Sequence, residues 1–190
     1  MTAWIRGKKI LLRPMTEEDT ENIVRWRNEA FVRKNFIYQK PFTAEGHKQW
    51  SETMVDTGRV IQFIICTMEE KPVGSVYLRD IDRVHNKAEY GIFIGEEEAL
   101  SKGYGSEAAE LMIRYAFEEL HLHKLYLRVL AGNERARKSY EKAGFVQEGY
   151  FKEDVLLPDG YRDVIFMGIL NPVKADGTME PDESLDGMRP

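Results

Sequence analysis

Residues 92–117 read IFIGEEEALSKGYGSEAAELMIRYAF, and this stretch decides the fold. It ends an apolar strand, crosses seven residues, turns at Gly103-Tyr104-Gly105-Ser106 and opens a helix. Ala108, Leu111, Met112, Tyr115 and Ala116 recur at helical spacing, so one face of that helix is packed. Glycines at a helix start let a ligand approach the backbone closely, and the unpaired amides there favour phosphate. Taken alone, GYGSEA also fits the dinucleotide fingerprint GxGxxA. That fingerprint follows its strand almost directly and opens the first βαβ unit. Here an interval separates Gly95 from Gly103 and a meander comes first, so the dinucleotide reading is set aside. A helix start with flexible glycines and no chemistry is the plainer alternative at this point.

Working outward, residues 8–14 form a short strand stopped by Pro14. Thr16, with the acidic turn after it, caps a helix reaching about residue 30, and a second helix covers 43–56, before Gly58. Residues 60–68, 71–81 and 87–95 are strand-like, with links too short for helical crossovers, which predicts an antiparallel meander. Beyond the 103–120 helix come a strand at 123–130 and a helix from Asn133 to Lys142, ended at Gly144. Strands at 145–157 and 161–170 meet at Pro158-Asp159-Gly160, a hairpin turn. The predicted order is β-α-α-β-β-β-α-β-α-β-β in one domain over residues 1–170. Residues 171–190 hold three prolines, five acidic and two basic groups and almost no large apolar side chain; they read as an acidic, unstructured tail.

The chain has 190 residues, with 27 Lys plus Arg against 32 Asp plus Glu, a net charge of -5. Its 43% apolar and 31% charged residues are ordinary for a globular protein. No run of about 18 apolar residues occurs, so no membrane span is expected. The start lacks an apolar signal core. The lone cysteine, Cys66, excludes an intrachain disulfide and a Cys-based zinc cluster and reads as a buried small side chain. These features predict a cytoplasmic protein without a structural metal. Residues 1–60 are net +3 and residues 61–170 net -5. No basic stripe tracks a nucleic-acid backbone, so nucleic acid is not an expected partner.

A second signal is NERARKSYEKAGF, residues 133–145. Tyr140 lies seven residues after Asn133, two turns along the same side of a helix, so both can face one cleft. With the glycine turn, this pattern resembles the GCN5-related N-acetyltransferase (GNAT) superfamily over approximately residues 8–170. The closing EGYFKEDVLLPDGYRDVIFMGIL and the early WRNEAFVRKNF are similar to its branch that acetylates ribosomal-protein N-termini, polyamines and amino sugars. The resemblance implies a mixed α/β fold. Its sheet is mostly antiparallel, with helices on both faces and an acetyl-CoA cleft between two splayed central strands.

The resemblance also implies roles. Acetyl-CoA is the donor and a primary amine the acceptor, with no metal. The family's Gln/Arg-x-x-Gly-x-Gly/Ala loop matches residues 100–105, with Leu100 at the usual Gln or Arg position. The backbone from Lys102 through Gly103, Tyr104, Gly105 and Ser106 would hold the pyrophosphate, and the Lys102 side chain is a partial substitute for the lost contact. Asn133 is expected near the pantetheine or as a helix cap. Amides of Ile92, Phe93 and Ile94 would bind pantetheine and the developing oxyanion. Tyr140, with a reference pKa near 10, would protonate the departing thiolate. Glu89, 14 residues before Gly103, is the expected general base, with an exposed or amine-orienting carboxylate as the alternative. Glu29 and Glu21 are weaker candidates.

His47 and His85 read as surface groups, and His121 with His123 lacks a third ligand. Trp26, Phe31, Phe36, Tyr38 and Trp50 either line an acceptor pocket or pack the core. The expected acceptor is a small amine or amino sugar. A peptide or protein N-terminus and a polyamine are the alternatives, as is a non-catalytic CoA-binding or interaction module. A homodimer is compatible with all of these.

Overall fold

The computed structural model describes residues 4–172, so the tail from residue 173 lies outside the described residues. The strands are β1 (Ile5–Arg6), β2 (Ile10–Pro14), β3 (Ile61–Thr67), β4 (Pro72–Asp82), β5 (Lys87–Ile94), β6 (Lys124–Leu130), β7 (Val146–Leu157) and β8 (Gly160–Leu170). The helices are α1 (Thr20–Asn28), α2 (Ala30–Arg33), α3 (Ala44–Trp50), α4 (Tyr104–Arg114) and α5 (Glu134–Lys142). The strands form one sheet in the order β1-β2-β3-β4-β5-β6-β8-β7. Every pair is antiparallel except β5 with β6. The predicted mixed sheet is therefore present, and no helix among the described residues is long and apolar enough to cross a membrane.

Strand alternation sorts side chains onto two faces. Val76, Leu78, Ala88, Tyr90, Leu125 and Leu127 join Ala108 and Met112 of α4 in the larger core. Ile64, Cys66 and Phe93 join Ile23, Trp26 and Val32 of α1 and α2 in a second core on the other face. Cys66 is free and buried.

Three local details differ from the sequence expectation. The first helix breaks at Glu29, which takes φ -60° and ψ 133°, and a short α2 follows. The ends of α3 and α4 widen into π turns at Ser51–Val55 and Tyr115–Glu119. A two-residue strand, β1, precedes the first predicted one and folds back on it, with Gly7 N donating to Ile10 O. These features are set by tertiary packing, which periodicity within a single segment does not encode.

Candidate active site

The two central strands part company along their length. Lys87, Ala88 and Glu89 pair with Lys124, Leu125 and Tyr126, and the parallel register ends there. β5 continues to Ile94 and β6 to Leu130 without pairing with each other, which opens a slot between them. The other edge of β5 stays paired with β4 as far as Ile94.

Gly95 N donates to Val73 O at 2.8 Å. Bonded and non-bonded pairs alternate along an antiparallel ladder. Phe93 with Ser75 and Gly91 with Tyr77 are thus bonded pairs, their peptide groups turned toward β4. The peptide groups of Ile92 and Ile94 face the slot instead. Phe93 is a correction: its amide is committed to the β4 ladder. Its side chain packs on the α1 face, with ring contacts to Trp26 at 6.2 Å and Phe36 at 5.8 Å.

At the mouth of the slot, Gly103 caps α4 with φ 85° and ψ 2°, the left-handed region that favours glycine. No side chain caps this end, which leaves the first-turn amides of Tyr104, Gly105 and Ser106 available. Lys102 is exposed beside the turn. Lys9, which the sequence reading missed, reaches the same place: its Nζ is 3.3 Å from where a Cβ on Gly103 would stand. Glu107 in the first turn of α4 fixes this approach. Its carboxylate accepts from the backbone N–H of Lys8 and, at 3.0 Å, of Lys9. Nothing local in the sequence signals a contact made across 98 residues.

Three phenols converge on the slot. Tyr140 of α5 packs edge-on to Tyr90 at 6.2 Å and to Phe145 at 6.0 Å. Burial and nearby Tyr77 raise its pKa well above the ordinary value, so at neutral pH it carries its proton. Tyr77 lies flat across Gly91, where a Cβ would come within 2.3 Å of its ring. The Tyr90 hydroxyl is buried and has no hydrogen-bond partner among the described residues. Asn133 accepts from Ala136 N at 3.2 Å and so caps α5. It also lines a groove of about 620 Å³ with Lys34, Gln39, Gly132 and Arg162.

Glu89 is not the free carboxylate that the sequence suggested. It is buried between Arg79 and Arg128, and each oxygen accepts from both guanidiniums at 2.9 to 3.2 Å. Burial alone would raise its pKa, but the two arginines outweigh burial and hold it below the ordinary carboxylate value. Glu21 and Glu29 are exposed on α1 and at its end. His47 is another correction: it is buried, with Nδ1 3.1 Å from Thr20 Oγ1 and its ring against Trp50. Trp26 is core, its indole N–H donating to Glu96 at 2.8 Å. No group of three metal-ligating side chains occurs among the described residues.

A parallel pair that splays beside a glycine-turned helix start, with a protonated phenol near the gap, fits a CoA-dependent acyltransferase. The chain belongs to the acetyltransferase (GNAT) domain family, whose model matches residues 9–146. It is similar to the spermidine N(1)-acetyltransferase of Escherichia coli strain K12, with 33% identity over 84% of this chain and 85% of that protein. The Vibrio cholerae spermidine N(1)-acetyltransferase is 35% identical over 57% of this chain, a match spanning 62% of that protein. A crystal structure of spermidine N-acetyltransferase from Vibrio cholerae in complex with CoA and spermine superposes with a TM-score of 0.81. It shows 27% identity and covers 86% of this chain and 96% of that one. The protein is an acetyl-CoA-dependent N-acetyltransferase acting on amines.

Proposed function

We propose that this chain transfers acetyl from acetyl-CoA directly to the primary amine of a small molecule. The observation that carries this reading is the slot between β5 and β6 with the protonated Tyr140 phenol beside it. When bound, acetyl-CoA supplies the activated acetyl group. The pyrophosphate lies on the amides of Tyr104, Gly105 and Ser106, with the ammonium groups of Lys9 and Lys102 near it. The slot-facing amides of Ile92 and Ile94 hold the carbonyl oxygen as charge develops on it. The amine nitrogen bonds to the acetyl carbon, the carbon–sulfur bond breaks, and Tyr140 gives its proton to the departing sulfur.

Glu89 takes a different part from the one its position suggested. With both oxygens saturated by guanidinium donors, it anchors the point where the strands separate, and the amine loses its proton to water. Asn133 acts by capping α5, the helix that presents Tyr140.

A polyamine acceptor is the second reading, supported by the relatives' names. The test is CoA-thiol release across amino acids, polyamines, amino sugars and peptide N-termini. Turnover with at least one small amine is expected. Tyr140→Phe should lower kcat by about 10²-fold or more while acetyl-CoA binding holds. Acetyl-CoA binding with no thiol release for any acceptor would instead make the chain a CoA-binding module.

A further inference from the structure

The α1 face of the slot has more positive charge than its own carboxylates neutralise. Arg27, on α1, is buried, yet it forms no ion pair among the described residues. Its guanidinium carbon lies 3.2 Å from the Phe36 ring centroid, 4.6 Å from Phe42 and 5.8 Å from Phe93. Its one hydrogen bond among the described residues is a long one, 3.3 Å from Nη2 to Tyr38 O. Nη1 is buried and has no partner among the described residues. Three ring faces meet this cation but no carboxylate does, and burying a charge without a counter-ion is costly; burial lowers the Arg27 pKa to about 10, which still leaves it charged at neutral pH.

Arg79 and Arg128 stand on the same face of the sheet. Each gives Nε and Nη2 to Glu89, and neither Nη1 donates to another described residue. Both side chains are about two-fifths exposed, so those donors are reachable. Glu89, Gly91 and Phe93 alternate on this face of β5: Glu89 holds Arg79 and Arg128, the Tyr77 ring covers Gly91, and Phe93 lies 5.8 Å from the Arg27 guanidinium carbon, so the three cations line one stretch of the strand. Against them stands Glu89; the next carboxylate, Asp80, is exposed and 3.9 Å from Arg79 Nε. The segment at residues 30–42 that covers Arg27 adds Arg33, Lys34 and Lys40 and contains no acidic residue.

We infer that the acceptor amine also carries an anionic group, a carboxylate or a phosphate, received by the guanidiniums of Arg27, Arg79 and Arg128. This deepens the proposed function and rests on it. An anion supplies the missing partner for a buried cation with an unused donor, and planar N–H forks suit both oxyanions. A polyamine would bring like charge to the same cluster. The relatives' named substrate therefore does not extend to this chain on this inference.

Matched acceptors test it. Ornithine with putrescine and lysine with cadaverine differ by one carboxylate; glucosamine 6-phosphate with glucosamine differs by one phosphate. The anionic member of at least one pair should have a kcat/KM about 10- to 100-fold above its twin, as expected for a charged hydrogen bond. The preferred pair tells carboxylate from phosphate. Arg27→Gln should collapse that ratio toward one, and Arg27→Lys should keep part of it. Because the ratio is internal to the folded fraction, partial unfolding of a variant does not mimic the effect. Turnover of spermidine or an uncharged amine with no preference for any anionic twin overturns this inference and leaves the acetyltransferase reading standing. If no amine supports thiol release, the acetyltransferase reading fails. Thermal shifts of the CoA-loaded protein then decide the anion site: stabilisation by an anionic twin alone supports it, and no shift with any of them overturns it.

Discussion

A carboxylate offers about four lone-pair directions, and at Glu89 two guanidiniums take all of them. Replacing it with Gln leaves Arg79 and Arg128 facing each other without a counter-charge. Because both arginines are partly solvated, a loss near the low end for breaking a buried pair is expected, about 3 kcal/mol in urea unfolding at pH 7. The folded pKa lies below the ordinary value of 4.5. The stabilisation is therefore complete above that value and is lost as pH falls through the lower folded value. Glu89→Gln should thus lose less stability on acidification than the wild type; parallel acid curves would show that the clamp is not ionic. If the amine's own ionisation sets the alkaline rise in kcat/KM, this variant keeps the shape of that limb. Loss of the limb would restore Glu89 as the base. Gly91 tests the neighbouring contact. A Cβ there collides with the Tyr77 ring, so Gly91→Ala should cost about 1–3 kcal/mol. In a Tyr77→Ala background the same change should cost far less, and equal costs in the two backgrounds would show that the contact is not the cause.

At the scale of elements, the start of α4 is assembled from two distant parts. The glycine turn supplies amides, and the β1–β2 turn, tied down by Glu107, supplies Lys9. Lys9→Ala should raise the acetyl-CoA KM about 3- to 5-fold with kcat unchanged, the scale of one exposed charge contact. The effect should shrink in salt and vanish with acetylpantetheine, which lacks the pyrophosphate; an equal effect on that donor would sink the phosphate role. This element also shows what the sequence could and could not reveal. GYGS, the apolar face of α4 and the Asn133 and Tyr140 spacing are local signals, and they located the turn and the two helices. Lys9, Arg27, Tyr77 and the arginines around Glu89 meet only through strand register and packing. A single-sequence reading can see Glu89 as a strand carboxylate and Gly91 as a gap. It cannot see that Arg79 pairs opposite one and Tyr77 fills the other.

On the scale of the whole molecule, the slot divides the sheet into β1–β5 and β6–β8, joined along the strands by only three register pairs. Two features beyond the strand pairing help to hold the halves together. On the α4 face, Ala108 and Met112 pack in one core with Leu125, Leu127 and Met167. On the α1 face, Glu89 links Arg79 of β4 to Arg128 of β6. Neither reaches the open end, where Ile92 and Ile94 look toward a strand that has turned away. On the proposed site a ligand lying there would replace missing ladder partners on β5, so binding should tighten the junction more than either half. A ligand at 100 times its Kd contributes about 2.7 kcal/mol by mass action. For a domain of this size that corresponds to a rise in Tm of about 5–10 °C. Hydrogen exchange should localise the gain: CoA should slow the amides of Ile92, Ile94 and Tyr104 through Ser106, while the β2–β3 ladder changes little. Uniform slowing across both halves would mean that CoA acts through global stability alone, and unchanged exchange at Ile92 and Ile94 would remove the slot from the binding site.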